Sequence, residues 1–590
     1  MRSTSSSPRR AFFMNLLLVF LLGLFVAKLP STLAQMSGKA ESWDLVGDAR
    51  DMITRNFVDK PDQQKLAKGA IQGMLESLDD PYAEYISAED SADFEKAMTG
   101  SFSGVGCQIE TKGGWLYVTS PMEDSPAFNA GILAGDRISK VNGTTTHELS
   151  ADKCIKLITG PEGTPVKLDV LRTGQEITFN LSRAKIVSKS ARGYRRLPDA
   201  SGHWDHLIDS ANKIAYVRLS QFTPTAPEEL VASIEQATTA AGGSLNGLIL
   251  DLRYNPGGIM DTAIEIVSMF ADPGERVMST KGRNTPEVVY KAQKQDASLK
   301  YPVAILVNGS SASASEIVSG SMQEILGPSG RVVIIGTRSY GKGLVQSVNT
   351  LPHDQNAILK LTTQHYYLPS GKLIQRTDDA KVWGVDPTPG FFLPITDAEA
   401  YTSAITRRNW DILRKPGTEL PEGSEPIPAM ADQHWDDSSW IETTAKDKQL
   451  AGAIFTMQAK ITTGDWKKLS DAESQSKAIA TKELKVLEKT QEMMGKEFAR
   501  IEKRIETLES ATSAEKEKPK EAADFWPDNL DLTGGIVEVR DKDGKVITDL
   551  KITGRDLERW LAIADLEKIK KDAPPTTAAT NPPPSAAPKQ

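Results

Sequence analysis

Three short segments hold residue types and spacings that can do chemistry. The run Val307-Asn308-Gly309-Ser310-Ser311-Ala312-Ser313-Ala314-Ser315-Glu316-Ile317 follows an apolar, β-branched stretch and opens a helical pattern. Its small side chains let a peptide backbone approach closely. A helix start presents free N–H groups and the positive end of the helix dipole. A serine placed there can attack a carbonyl whose oxyanion the amides stabilise. Taken alone, the run reads equally well as a Ser/Ala-rich helix cap. A serine hydroxyl also needs a base. The chain has no Gly-x-Ser-x-Gly elbow, and no histidine stands in a supporting motif. A lysine serves instead if burial or nearby positive charge holds it neutral, since its ordinary pKa is about 10.4. Tyr340-Gly341-Lys342-Gly343-Leu344-Val345-Gln346 offers one. Gln346 lies four residues beyond Lys342, on the same side in a helix or a strand, placed to orient the amine. By itself, Gly-Lys-Gly is usually a surface turn. The third segment, Leu250-Asp251-Leu252-Arg253-Tyr254-Asn255-Pro256-Gly257-Gly258, ends an apolar run in a tight glycine turn whose N–H groups can point into a cleft. Its plain reading is a strand-to-helix connection.

These segments need a scaffold. Residues 187–395 alternate apolar β-branched runs with helical stretches. Ile214–Leu219, Gly247–Leu252, Val303–Val307 and Val332–Ile335 read as strands, the last three as buried strands of an α/β layer. Residues 36–98 look helical until Asp79-Asp80-Pro81 breaks the pattern. Residues 99–186 change to short alternating strands (Cys107–Glu110, Trp115–Ser120, Val166–Arg172, Ile177–Leu181) with one short helix, Ser150–Ile158. That pattern implies a small, partly open barrel.

In their order along the chain the three segments resemble the tail-specific, or C-terminal processing, proteases of peptidase family S41, which use a Ser/Lys dyad. The family pattern is Asn-Pro-Gly-Gly, then Ser-Ala-Ser-Ala-Ser-Glu-Ile, then Gly-Lys-Gly-x-Val-Gln. The resemblance extends to Leu359–Thr363 and Tyr366-Tyr367-Leu368-Pro369-Ser370-Gly371-Lys372, and covers roughly Glu41 to Pro387. It implies Ser313 as nucleophile, with Ser311 and Ser315 as fallbacks. It implies Lys342 as general base, with Gln346 beside it. The oxyanion hole would be the amides of Ala314 and Gly258, or Gly257. One departure stands out: Glu324–Arg331 is about four residues longer than the family pattern, in the connection between the serine helix and the strand leading to Lys342.

Residues 101–186 resemble a PDZ domain. Gly104-Val105-Gly106 would hold a terminal carboxylate, and Cys107–Ile109 would be the strand beside which a peptide adds. Ser125-Pro126-Ala127, Ala130-Gly131-Ile132, Gly135-Asp136-Arg137-Ile138 and Val141-Asn142-Gly143 complete the resemblance. The resemblance implies unfolded or flexible protein C-termini as substrates and no cofactor or metal.

Composition sets the outer limits. The 590 residues carry 78 acidic and 70 basic side chains, a balance that argues against a nucleic-acid partner. Two cysteines, Cys107 and Cys154, with no CxxC and no Cys/His cluster, argue against a disulfide framework and a structural zinc site. Two buried thiols are expected over a single bridge. The His203/His206 pair has no third ligand nearby. Arg9 and Arg10 precede an apolar run, Ala11–Ala27, and a small-residue stretch ending at Ala34. This reads as an export signal; cleavage after Ala34 and retention as an inner-membrane anchor both stay open. The expected setting is extracytoplasmic, a bacterial periplasm, with membrane contact through this segment alone.

The expected organisation is therefore an α/β multidomain protein. Residues 1–34 are the signal or anchor, 36–98 the helical region, 99–186 the PDZ domain and 187–395 the peptidase core. Residues 396–469 read as a mixed linker region. Residues 470–510 form a long helix whose Leu484, Leu487, Met494, Phe498, Ile501, Ile505 and Leu508 make a heptad seam, suited to packing on its own domain, self-association or an adaptor. Residues 528–571 form a small α+β segment with a hairpin across Asp543-Gly544 and a helix from Gly554 to Lys571; 572–590 is a Pro/Ala/Thr-rich disordered tail. Two rival readings are a non-catalytic peptide-binding scaffold and a membrane-anchored coiled-coil protein.

Overall fold

The computed structural model describes residues 44–197, 202–295, 299–352, 354–377, 379–414, 427–512, 536–540 and 546–551. The expected export segment, the helix expected at 554–571 and the expected C-terminal tail lie outside them. Among the described residues no helix is long and apolar enough to cross a membrane.

The α/β core is built on a sheet whose central strands, Ile214–Leu219, Gly247–Asp251, Val303–Val307 and Val332–Gly336, run parallel in that order. Every residue of the last three is buried. That is the expected fate of parallel strands covered on both faces. Successive side chains go to opposite faces, and two separate cores result. On one face Val217, Leu250, Ile305 and Ile334 pack against the helices Ala226–Ala240, Met260–Ser268 and Ala314–Leu326. On the other, Tyr216, Ile249, Leu306 and Ile335 pack against Trp410, Trp435, Ile441, Leu450, Ile454 and Met457.

This second core corrects the reading of 396–469 as a linker region. The segment holds the helices Asp397–Asp411, Ser438–Thr443 and Lys448–Thr463. They cover a sheet face that would otherwise lie open. Trp410 and Trp440 anchor the first two with little apolar periodicity around them, whereas Lys448–Thr463 presents Leu450, Ala453, Ile454 and Met457 at helical spacing. Residues 415–426, around the proline-rich stretch, lie outside the described residues.

A second, antiparallel sheet joins Glu84–Ile86, Asp354–Tyr367, Arg276–Lys281 and Val288–Lys291, with Leu344–Leu351 paired to the long strand. It ties the N-terminal region to the segment that follows Lys342.

Residues 101–187 form a compact β-domain. Its sheet runs Cys107–Lys112, Trp115–Pro121, Arg137–Val141, Pro165–Arg172, Gln175–Ser182, with helices Pro126–Ala130 and Ala151–Ile158. Cys107–Lys112 is the edge strand. Ser150 caps the second helix through Lys153 N, as the expected Ser150–Ile158 start requires.

Beyond the core, Ala472–Thr512 is a single helix of 41 residues. The expected seam residues Leu484, Leu487, Met494, Phe498, Ile501, Ile505 and Leu508 lie exposed along it. Ile536–Arg540 and Val546–Lys551 pair as the expected antiparallel hairpin.

Candidate active site

Strand Val303–Val307 delivers the chain to Ser313, the N-cap of the helix Ala314–Leu326. Ser313 has φ 56° and ψ −115°. A non-glycine residue there stores on the order of 1–3 kcal/mol and persists where the surroundings over-determine it. The surroundings here do so. The Ser313 N–H donates to Glu316 Oε2 at 2.8 Å, and Glu316 N donates back to Ser313 O at 2.8 Å.

The serines of the run differ in what holds them. Ser311 is buried; its hydroxyl donates to Leu252 O at 2.8 Å and accepts from Asn308 N at 2.9 Å. Ser315 is buried and donates to Asn255 O at 2.9 Å. Ser313 is half-buried at the surface of the cleft. The fallback serines are thus structural ties between the serine segment and the Leu252–Asn255 segment.

The Asn-Pro-Gly-Gly turn lies directly against Ser313. A Cβ on Gly257 would stand 2.7 Å from Ala312 O, 2.8 Å from Ser313 Cβ and 2.9 Å from Ala314 N. One on Gly258 would stand 2.2 Å from Phe222 O. Both glycines have positive φ, 100° and 146°. Glycine is therefore required twice over, by space and by conformation. Asn255 shapes the turn from within: its Nδ2 donates to Leu219 O at 2.8 Å and its Oδ1 accepts from Gly257 N at 2.8 Å. Gly257 N is thereby engaged. Among the described residues the amides of Gly258 and Ala314 donate to no group.

Lys342 follows strand Val332–Gly336 on a loop that Glu316 clamps. The fully buried Glu316 carboxylate accepts from Ser339 Oγ (2.5 Å), Gly341 N (2.6 Å), Lys342 N (2.9 Å) and Ser313 N (2.8 Å). One carboxylate thus joins the serine cap to the lysine loop. Burial pushes its carboxyl above the ordinary range, against the pull of those four donors. The buried Tyr366 hydroxyl sits between the carbonyl oxygens of Ser313, at 3.1 Å, and Lys342. Burial first, then the charge of Lys360, lowers the pKa of Lys342. The Lys342 ammonium lies 4.5 Å from the centre of the Tyr82 ring. Gln346 donates to Thr362 Oγ1 at 3.1 Å; this is the bond its amide makes, rather than one to Lys342.

The longer Glu324–Arg331 segment falls at the far end of the serine helix. The helix runs to Leu326, and Gly330 N donates to Gly327 O at 2.8 Å to close the turn. At 1.5 Å per residue, that turn is about 20 Å from the Ser313 end.

The turn is also braced from behind. Arg253 pairs with Asp251 at 2.6 Å and Asp447 at 2.7 Å, all three largely buried. Asp447 caps the helix Lys448–Thr463 through Leu450 N, so the C-terminal helices hold the strand that presents the glycines.

In the β-domain, Gly106 has φ 77°, and a Cβ there would meet Ser125 Cβ at 2.3 Å. Carbonyls of the Gly104-Val105-Gly106 loop point inward: Val105 O accepts from Ala127 N at 2.9 Å and Gly106 O from Ser125 Oγ at 2.9 Å. Among the described residues the amides of Val105 and Gly106 donate to no group. Cys107 and Ile109 pack half-buried against the cluster that contains Cys154 and Ile158 of the facing helix. Both thiols are free. Burial, with the charge of Asp136 behind it, pushes Cys107 up to about 12.

Glu316, Tyr366, Tyr82, Asn255 and Arg253 escaped the motif reading as site residues. Glu316 had a visible signal: Ser313-x-x-Glu316 is a capping-box spacing.

The fold and the cleft are those of a peptidase core preceded by a small β-domain. Comparison with known proteins agrees. Residues 213–388 match Peptidase family S41, residues 117–172 match the PDZ domain, and residues 25–90 match the N-terminal domain of the activating protease CtpB. A carboxy-terminal-processing protease of Bartonella bacilliformis is 38% identical over 56% of this chain and 71% of its own length. The carboxy-terminal processing protease CtpA of Bacillus subtilis is 33% identical over 67% of this chain and 80% of its own. Among solved structures, a photosystem II D1 C-terminal processing protease is 25% identical, covering 59% of this chain and 92% of that one, with a TM-score of 0.33. The chain belongs to the carboxy-terminal processing serine proteases of peptidase family S41.

Proposed function

We propose that this protease cuts with Ser313 as nucleophile and Lys342 as general base, on chains whose C-termini its PDZ domain has captured. The observation that carries the reading is the cleft itself. A strained, half-buried Ser313 sits at a helix N-cap, in contact with a double-glycine turn. The loop of a partly buried lysine is clamped to the same cap by Glu316. Neutral Lys342 takes the Oγ proton as Oγ attacks the scissile carbonyl. The Gly258 and Ala314 amides receive the oxyanion. Protonated Lys342 passes its proton to the leaving amine, and the ester that remains is opened by a water that Lys342 deprotonates in turn. Gln346 supports the lysine side of the cleft.

The substrate end enters as an added strand beside Cys107–Ile109, its carboxylate on the Val105 and Gly106 amides. Tethering there raises the effective concentration of the chain at Ser313. Residues 1–34 act as export signal or anchor and place the enzyme in an extracytoplasmic, periplasmic setting. The seam of the helix Ala472–Thr512 serves association, with an adaptor or a second copy.

The test is hydrolysis of an unfolded protein with an apolar C-terminus by residues 35–590, Ser313→Ala and Lys342→Ala. Loss of cutting in both variants, with folding intact, is expected. Amidating the substrate carboxylate is expected to raise KM and leave kcat nearly unchanged. Cutting by either variant at the parent rate refutes the dyad.

A further inference from the structure

Tyr82 reaches the catalytic cleft from a distant part of the chain. It lies on the turn after the N-terminal helices, where Tyr82 N donates to Asp80 Oδ1 at 3.0 Å and Ala83 N to Asp80 O at 3.3 Å. The strand that follows, Glu84–Ile86, pairs antiparallel with Ile358–Lys360, and Lys360 Nζ stands 2.8 Å from Glu84 Oε2. The Tyr82 hydroxyl lies near that of Tyr340, two residues before Lys342. The turn is therefore fixed on both sides, and it puts a ring face 4.5 Å from the Lys342 ammonium. The charged or titratable groups near that amine are Asp80 and Tyr82 from this turn, Lys360 from the long strand and Glu316 from the serine helix. Among the described residues, no hydrogen bond joins Lys342 Nζ to Ser313.

A ring face attracts an ammonium and gives little to a neutral amine. The contact thus favours the form of Lys342 that cannot act as a base. We propose that Tyr82 is a positioning residue that keeps Lys342 charged over its ring, and that catalysis requires the amine to leave the ring for Ser313. This rests on the assignment of Lys342 as base. Tyr82 rides on the N-terminal region, so whatever shifts strand Glu84–Ile86 also changes the hold on the base.

The experiment replaces Tyr82 in the full chain with leucine, with phenylalanine, and with phenylalanines carrying increasing numbers of fluorines. The acid limb of kcat/KM against pH is read with a fluorogenic peptide. Fluorine weakens the ring quadrupole while nearly preserving shape, so folding is not at issue in that series. An ordinary cation–π contact corresponds to about half to one pH unit. Tyr82→Leu is expected to move the limb down by that much, seen as a roughly three- to tenfold gain on the acid side. Tyr82→Phe keeps the ring and should keep the parent limb. The fluorinated series should move the limb down stepwise. A limb that ignores fluorination, or that rises in Tyr82→Leu, overturns the proposal. If Lys342→Ala still cuts, the base assignment has failed instead.

Discussion

Replacing Glu316 with glutamine isolates the clamp between the serine cap and the lysine loop. The two side chains have nearly the same shape, so packing is preserved. What changes is hydrogen bonding. Oε2 accepts from Ser313 N and Lys342 N, and Oε1 from Ser339 Oγ and Gly341 N. A glutamine oxygen can occupy only one of those places. The less costly choice keeps it at the Oε2 position. The NH2 then faces Ser339 Oγ and Gly341 N. The serine hydroxyl can turn and accept, because it has two lone pairs and already accepts from Val385 N at 2.7 Å. Gly341 N–H cannot turn; it loses its acceptor and meets a second donor. One buried, charge-assisted bond lost in this way costs about 2–3 kcal/mol. Carried through to the reacting geometry, that is a loss of about 30- to 160-fold in kcat. The assay is steady-state hydrolysis of a substrate with a free carboxylate, with circular dichroism to verify folding. KM should hold, since the PDZ groove is untouched. A folded Glu316→Gln enzyme with kcat within twofold of the parent, or one that loses affinity and keeps kcat, would refute the reasoning.

Further outcomes follow from the same geometry. Gly257→Ala must place a methyl within 2.7–2.9 Å of three atoms of the serine segment at φ 100°. Activity should fall below a hundredth of the parent's, and thermal unfolding should show a less stable core. Lys360 lowers the pKa of Lys342. Lys360→Gln should therefore raise it and move the acid limb of kcat/KM to higher pH, because the base is active only when neutral; a limb that stays or moves down contradicts this. Asp411 pairs with Arg192 at 3.3 Å, with Arg407 at 3.7 Å and with Arg218. All four side chains are less than a third exposed. Asp411→Asn should cost about 3 kcal/mol, measurable by denaturant unfolding. A variant as stable as the parent would show that the helices 397–463 are not integral to the core.

Much of the scaffold was legible because its signals are local. Gly247–Asp251 and Val303–Val307 read as buried strands because parallel strands covered on both faces must be apolar throughout. The β-domain declared itself by alternation and by Ser150 at a helix start. Of the helices that cover the second face, Lys448–Thr463 carries an apolar stripe (Leu450, Ala453, Ile454, Met457), but Trp410 joins Trp435 and Trp440 around it only once the chain has folded. The antiparallel sheet was missed for a similar reason, since its strands come from residues 84–86 and 276–367.

The sequence by itself determined the chemistry on offer: a serine at a helix start, a lysine between glycines, a double-glycine turn, and the order in which they come. These are properties of short segments, and short segments report their own backbone needs. Which of three serines stands free, what ties the lysine loop to the serine cap, and what ring the amine rests on were decided by tertiary structure alone. Asn255 and Ser315 are sixty residues apart, Glu316 and Lys342 twenty-six, and Tyr82 and Lys342 two hundred and sixty. No local periodicity encodes such contacts; they exist only once the sheet has brought the loops at its ends together.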